Sequence, residues 1–414
     1  MTLSEELRWR GFVNQTTFDD ISRLDKQTFT FYLGVDPSAP SMTIGNLATA
    51  IMAKHFAKAG HKAYLLVGGA TGMIGDPDGK KRERDLKTLQ EIETNKKAIA
   101  AQYETLFDGM RFELVDNYDW FKDVNYLDFL RDVGKHVPVR QMLARDFVQT
   151  RLAEDGAGIS YAEFSYVLIQ GYDFVHLNRE YGVDLQLCGS DQWGNSIAGV
   201  DLIRRMNGNE AHVWSTPLVI NQATGKKFGK SEGGAVWLDE NATSVYQFYQ
   251  FWLNVDDEGV EDYIKIYTEL NKEEVDDIMR TFRENPAQRH AQKTLAYEVT
   301  KIVHGQENAD AVIKVTDLLF GAQNANEINE RELELLKQEL PVVEKSEGAM
   351  LTEVLVDAEM MASKGEARRM LAQGAVKING DKTLEDRELT ADDAKLSGHV
   401  LLQRGKNDFA LIKI

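Results

Sequence analysis

Short runs of lysine and glycine are the first chemistry visible in this chain. In GKKFGKSEGG, residues 225–234, Lys227 and Lys230 lie on a glycine-rich loop beside Ser231. A Walker phosphate loop needs four residues between its first glycine and the Gly-Lys-Ser, and Gly225 and Gly229 enclose only three. What remains is a pair of cations that can stabilise charge on a leaving pyrophosphate without a fixed cradle. A second run, GGATGMIGDPDGKKRER at 68–84, ends in Lys80, Lys81, Arg82 and Arg84. A glycine-rich loop closing on such a cluster suits a mobile clamp over polyphosphate. The bland alternative for this second run is a solvated basic loop. A third stretch, SMTIGNL, opens a helix directly after a strand and a proline-containing turn. Unpaired N–H groups and the helix dipole favour an anion there. Gly45 would let a ligand approach the backbone, and Thr43 and Asn46 offer neutral donors; an ordinary N-cap followed by a tolerated glycine is the alternative.

A fourth group suits a small polar substrate. Tyr166, Gln170 and Asp173 are spaced four and three apart in EFSYVLIQGYDF, so on one helix they share a face. A phenol, an amide and a carboxylate among apolar residues can line a site for amino and hydroxyl groups, or form a helix edge that meets water. GSDQW, residues 189–193, adds Asp191 and Gln192 just past a strand. Other chemistries lack their signatures: no zinc-spaced ligand pair, His-Glu-x-x-His, G-x-S-x-G or G-x-G-x-x-G is present. Phosphoryl handling with Mg²⁺ fits better than acid–base hydrolysis.

These groups need a frame. TFYLGV at 30–35 and KAYLLVGG at 62–69 read as strands on either side of a helix from Thr43 to about Lys58, which closes at Gly60. A parallel βαβ unit is the economical reading, with ligands beyond the carboxyl ends of its strands, where both glycine-rich loops begin. Residues 85–180 read as mostly helical, DLQLCG and HVWSTPLVI as strands, 244–320 as helical, and 321–349 as a polar linker. The last 65 residues form a separate α+β pattern. Ser363 to Glu366 is a capping-box sequence ahead of a helix bearing Arg368 and Arg369, and Asn379-Gly380 is a hairpin turn. That tail holds ten Lys and Arg against eleven Asp and Glu, whereas the whole chain carries −18, so a nearly neutral module follows an acidic body. Such acidity argues against non-specific nucleic-acid binding but leaves room for local basic surfaces. The single cysteine, Cys188, excludes an internal disulfide and suits a reducing cytoplasm. No apolar run is long enough to cross a bilayer, and the first residues do not read as a signal peptide.

Taken in order, YLGVDPSAPS, LVGGATGMIGDPDGKK, FLRDVGKH, EFSYVLIQGYDF, GSDQWGN and KKFGKS resemble the tyrosyl-tRNA synthetases, of class I, over essentially the whole chain. The tail resembles an RNA-binding domain shared with a small-subunit ribosomal protein. The resemblance implies an α/β fold: a Rossmann-like parallel-sheet catalytic domain over 1–220, an anticodon-stem helical domain over 221–320, a linker over 321–349 and an RNA-binding domain over 350–414. It implies ATP with Mg²⁺, tyrosine and tRNA(Tyr) as ligands, a homodimer and a cytoplasmic location. Thr43 to Asn46 matches the family's "HIGH" signature and Lys227 to Ser231 its "KMSKS" loop, with Lys80 and Arg84 closing over pyrophosphate. Tyr32 and Asp173 would face the phenolic hydroxyl of tyrosine. Tyr166, Gln170 and Asp76 would hold its ammonium group. Gln192, Gly34, Asp36 and Asp191 would line the substrate and ribose site, and Gly45 the nucleotide. Where the family usually has two histidines, this chain has Thr43 and Asn46, a form resembling the tryptophanyl relatives. Two alternatives follow: a catalytically weak paralogue that binds RNA or regulates, and a relative that activates tryptophan or a tyrosine derivative.

Overall fold

The computed structural model describes residues 1–77, 86–153, 155–231, 234–320 and 328–414, with backbone alone at 230–231. The chain divides into two compact units. One comprises Met1–Asp239 with Val255–Leu295, the other Glu240–Asn254 with Ala296–Ile414.

The first unit is built on six strands: β1 (Gln15–Thr16), β2 (Thr30–Val35), β3 (Lys62–Val67), β4 (Phe112–Asp116), β5 (Leu185–Gly189) and β6 (His212–Thr216). Their order is β1-β6-β5-β2-β3-β4, and all neighbours are parallel except β1 and β6. β3 and β5 are almost wholly buried, as expected of strands covered by helices on both faces. From β2 the chain winds outward through β3 and β4; β5 then returns to the other side of β2. The order therefore reverses between β2 and β5, and the crevice at their carboxyl ends is the favoured ligand position of such sheets.

The expected helix runs Ile44–Lys58, with Thr43 as N-cap, and Gly60 ends it at φ 93°. Two readings in this unit need correction. The 85–180 stretch is interrupted by β4, an edge strand whose FELVD alternation is short and only half-buried. The 68–84 run is not loop throughout, since Gly69–Ile74 is a helix. Its first N–H groups donate to side chains just past β4, Gly69 to Asp116 Oδ1 at 3.0 Å and Ala70 to Asn117 Oδ1 at 2.7 Å. These are capping contacts that local sequence cannot reveal.

The second unit ends in a five-stranded sheet with order β11-β10-β12-β13-β9. A two-stranded ribbon, β7 (Lys230–Ser231) and β8 (Gly234–Ala235), precedes it in the chain but belongs to the first unit. The strands of the sheet are β9 (Val342–Glu344), β10 (Val376–Ile378), β11 (Asp381–Thr383), β12 (His399–Arg404) and β13 (Asp408–Lys413). Asn379 and Gly380, at φ 49° and 92°, form the expected two-residue turn between β10 and β11. Of the segment read as a linker, Glu330–Glu339 is a helix with a complete Asn329–Glu332 capping box, and Val342–Glu344 pairs in parallel with β13. Leu333, Leu335 and Leu336 are buried, a stripe that a largely charged composition conceals. Ser363 caps the Lys364–Ala372 helix by accepting from Glu366 N–H at 3.2 Å, while the Glu366 carboxylate accepts from Ala362 rather than Ser363. Among the described residues, no helix is long and apolar enough to cross a membrane.

The Ile44–Lys58 helix is locked to the first unit through a buried charged cluster. Arg10 is buried and donates to the carbonyls of Lys265, Thr268 and Leu270, and its Nε meets Glu6 at 2.9 Å. His55 lies against the same Glu6 at 3.3 Å with its Nε2 buried and unpartnered. Burial, then nearby Arg10 and Lys58, pulls its pKa down to about 3. An imidazole held neutral in this way contributes stability that is complete above its unfolded value near 6.5 and is lost as pH falls towards 3. Replacing His55 with Gln should therefore flatten the loss of stability between pH 7 and pH 4, by about 1–3 kcal/mol, measured by urea unfolding at both pH values.

Candidate functional site

The carboxyl ends of the parallel strands deliver most of the candidate residues to one crevice. β2 supplies Tyr32 and Gly34 and runs into Asp36. β3 ends at Val67 and runs into Gly68. β4 ends at Asp116, with Asn117 next. β5 ends at Gly189, ahead of a short 3₁₀ turn, Ser190–Gln192, and the Trp193–Met206 helix. The Tyr161–Tyr181 helix covers this end and presents Tyr166, Gln170 and Asp173.

Tyr166 is buried and donates its hydroxyl proton to Asp36 Oδ2 at 2.7 Å. Burial, then the charges of Asp36 and Asp76, pushes its pKa well above the usual phenol value. Gln192 donates Nε2–H to Asp76 Oδ2 at 2.6 Å, and its own Oε1 accepts from Asn195 at 3.1 Å. Carboxylates at 36, 76 and 173 all act on Tyr166 electrostatically, a field that favours a cationic group in the crevice. The Gln170 Oε1 and Tyr32 hydroxyl oxygens are buried and have no protein partner, so both are available to a ligand.

Asp173 is buried, and both its oxygens are held. Asn117 donates to Oδ2 at 3.0 Å and the Trp120 indole N–H to Oδ1 at 2.9 Å. Burial pushes its pKa up to about 8, against the effect of these two donors and with help from Asp36 and Asp116. Asn117, fully buried, also donates to Thr71 Oγ1 at 2.9 Å. It thereby ties the Gly69–Ile74 helix to the carboxylate. The sequence reading missed Asn117 and Trp120; recognising β4 would have placed both at a strand's carboxyl end.

At the start of the Ile44–Lys58 helix, Asn46 Oδ1 accepts from the Thr43 N–H at 2.9 Å and the Thr43 hydroxyl at 3.0 Å. The Asn46 amide oxygen is thus used, and its NH₂ group remains for a ligand beside exposed Gly45. The lysine-bearing loop is built onto this helix start. Residues 42–44 pair with 236–238, through Ile44 N–H to Val236 O at 3.1 Å and Leu238 N–H to Met42 O at 2.9 Å. Gly229 adopts φ 100°, and a side chain there would meet Ile44 Cγ1 at 2.9 Å. From this loop Lys227 Nζ stands 3.9 Å from Asp191 Oδ2. Lys230 and Ser231 pair with Ala235 and Gly234 through the backbone. Lys80 and Arg84 lie outside the described residues. Arg368 and Arg369 belong to the other unit and are exposed on their helix, with Arg368 Nε 3.9 Å from Asp386. Cys188 is buried and its thiol is pushed up to about 12, an inert structural position. Among the described residues no cluster of three metal-ligating side chains occurs.

Gly68 makes the closest backbone approach in this crevice. A Cβ there would lie 2.5 Å from Asp36 Oδ1 and 2.1 Å from Thr71 Oγ1. Gly68→Ala should displace both groups and lower stability by about 1–3 kcal/mol in urea unfolding, whereas Gly34→Ala, whose Cβ would meet only Leu66 and Tyr32 at 3.5 Å or more, should cost less.

Comparison with known proteins agrees with this geometry. The family described as "tRNA synthetases class I (W and Y)" matches residues 24–321, and "Tyrosine--tRNA ligase SYY-like C-terminal domain" matches 332–412. The tyrosine--tRNA ligase of Bacteroides fragilis is 43% identical, covering 100% of this chain and 99% of that protein. The Geobacillus stearothermophilus tyrosine--tRNA ligase is 42% identical, covering 100% of both. A solved structure of a C-terminally truncated Aspergillus nidulans mitochondrial tyrosyl-tRNA synthetase superposes with a TM-score of 0.70 at 30% identity, covering 77% of this chain and 94% of that one. With a sheet that reverses between β2 and β5, a lysine loop built onto a helix start, and similarity running the length of the chain, this protein belongs to the class I tyrosyl-tRNA synthetase family.

Proposed function

We infer that the chain is a tyrosine-tRNA ligase, which activates L-tyrosine with ATP and transfers it to the terminal ribose of tRNA(Tyr). The observation that carries this reading is Asp173, a buried carboxylate fixed by Asn117 and Trp120 with the unpartnered Tyr32 hydroxyl in its field. Together they meet a phenolic hydroxyl, which phenylalanine lacks. A site that leaves buried polar groups unpaired rejects the analogue strongly.

The ammonium group of tyrosine is held among Tyr166, Gln170 and Asp76, with Gln192 braced on Asp76. Its carboxylate attacks the α-phosphate of ATP, and pyrophosphate leaves. Asp36, Gly34 and Asp191 line the ribose and adenylate side. Thr43, Gly45 and Asn46 at the helix start receive the phosphates, and Lys227, Lys230, Ser231, Lys80 and Arg84 balance charge on the departing pyrophosphate. ATP brings Mg²⁺ on its phosphates. No side chain acts as nucleophile; orientation and charge stabilisation supply the acceleration. A terminal ribose hydroxyl of the tRNA then displaces AMP, with Arg368 and Arg369 offering phosphate contacts from the C-terminal module, within the cytoplasm.

Purified protein with ATP and Mg²⁺ should exchange pyrophosphate strongly with tyrosine and negligibly with tryptophan or phenylalanine. Exchange with tryptophan instead would point to the tryptophan-activating relative, and no exchange to an RNA-binding role. Asp173→Ala should cut the tyrosine-to-phenylalanine ratio of kcat/KM by about 10- to 100-fold, the scale of a buried hydroxyl left unpaired.

The enzyme is also a homodimer in this reading. Among the described residues, seven of the seventeen exposed large apolar side chains fall between 126 and 161: Tyr126, Leu127, Leu130, Val139, Leu143, Leu152 and Tyr161. Tyr126 and Tyr161 meet through their hydroxyls at 3.4 Å. So dense an exposed apolar group marks a contact surface. Light scattering should give twice the chain mass of 46.7 kDa, and Leu127→Asp with Tyr161→Asp should give the single-chain mass.

A further inference from the structure

His176 follows Asp173 by three residues on the Tyr161–Tyr181 helix, so their side chains leave the same face. Its imidazole lies over the indole of Trp120, with ring centroids 4.5 Å apart and planes 16° from parallel. The ring of Tyr181 flanks the imidazole at 6.1 Å, edge-on. The same indole donates its N–H to Asp173. One helix thus supplies both the acceptor of that hydrogen bond and the plate that orients its donor.

Trp120 sits on Tyr118–Phe121, a four-residue helix too short to be rigid alone, near the edge strand β4. It packs, partly buried, against the apolar core, and the stacked imidazole adds a flat contact against rotation of the indole, which would carry its N–H away from Asp173. His176 is half-buried, and burial lowers its pKa, so the ring that stacks at neutral pH is uncharged.

We propose that His176 is a positioning residue for tyrosine selection: by stacking on Trp120 it fixes the indole N–H on Asp173 and thereby the carboxylate that meets the phenolic hydroxyl. The proposal rests on the assignment of Asp173 to that hydroxyl. It predicts an asymmetry. Tyrosine uses the Asp173 orientation and phenylalanine does not, so loss of the stack should weaken tyrosine alone.

Pyrophosphate exchange on the full chain tests this with His176→Ala, His176→Phe, Trp120→Phe and Asp173→Ala. His176→Ala should raise the tyrosine KM by about 2- to 10-fold, the scale of one aromatic pair, with kcat changed by less than about twofold. The kcat/KM for phenylalanine should stay unchanged. His176→Phe, which keeps a flat ring over the indole, should restore the tyrosine KM. In a Trp120→Phe background, His176→Ala should add little, because the two act as one unit. An unchanged tyrosine KM in His176→Ala would overturn the proposal. So would an equal loss for both amino acids, which marks general structural damage, or a failure of His176→Phe to restore. If Asp173→Ala collapses the tyrosine-to-phenylalanine ratio while His176→Ala leaves it intact, only the role of His176 falls. If Asp173→Ala leaves that ratio intact, the assignment of Asp173 falls first.

Discussion

The parallel pairing of β2 with β5 is the constraint on which the site depends. Phe31, Tyr32 and Leu33 of β2 align with Leu185, Gln186 and Leu187 of β5. Because the chain departs from these two strands in opposite directions, neither following loop covers the gap between them. Asp36 and Asp191 therefore stand on either side of one crevice although 155 positions separate them in sequence. Slipping this register by one residue would turn Tyr32 away from the Tyr161–Tyr181 helix and dismantle the crevice.

The second organising element is a negative field kept under control. Asp36, Asp76 and Asp173 act together on Tyr166, in surroundings where an unsupported carboxylate is costly. Each of the three has a partner of fixed polarity: Tyr166 donates to Asp36, Gln192 to Asp76, and Asn117 and Trp120 to Asp173. These four donors are uncharged, so none of them cancels the carboxylate it serves.

Much of this arrangement is legible in the residues. The βαβ unit, the helix stop at Gly60, the Asn379-Gly380 turn and the shared face of Tyr166, Gln170 and Asp173 all follow from local rules of period and turn chemistry. β4 does not, because a half-buried edge strand lacks the continuous apolar run of β3 or β5. With it went Asn117 and Trp120, whose importance comes from contact with a residue more than fifty positions away. The 330–344 segment was concealed differently: its charged residues dominate the composition, and only the spacing of its leucines shows the buried stripe.

The place of β9 has a practical meaning for dissecting the molecule. Val342–Glu344 closes the outer side of β13, pairing Val342 with Leu411 and Val343 with Ile412. A gene fragment started at residue 350, where the compositional change suggests a border, would encode the sheet without that strand. The backbone of β13, carrying the buried Leu411 and Ile412, would then be an open template for edge-to-edge association. A fragment that keeps Val342–Glu344 covers the outer side of β13, so the sheet begins eight residues before the border that composition draws.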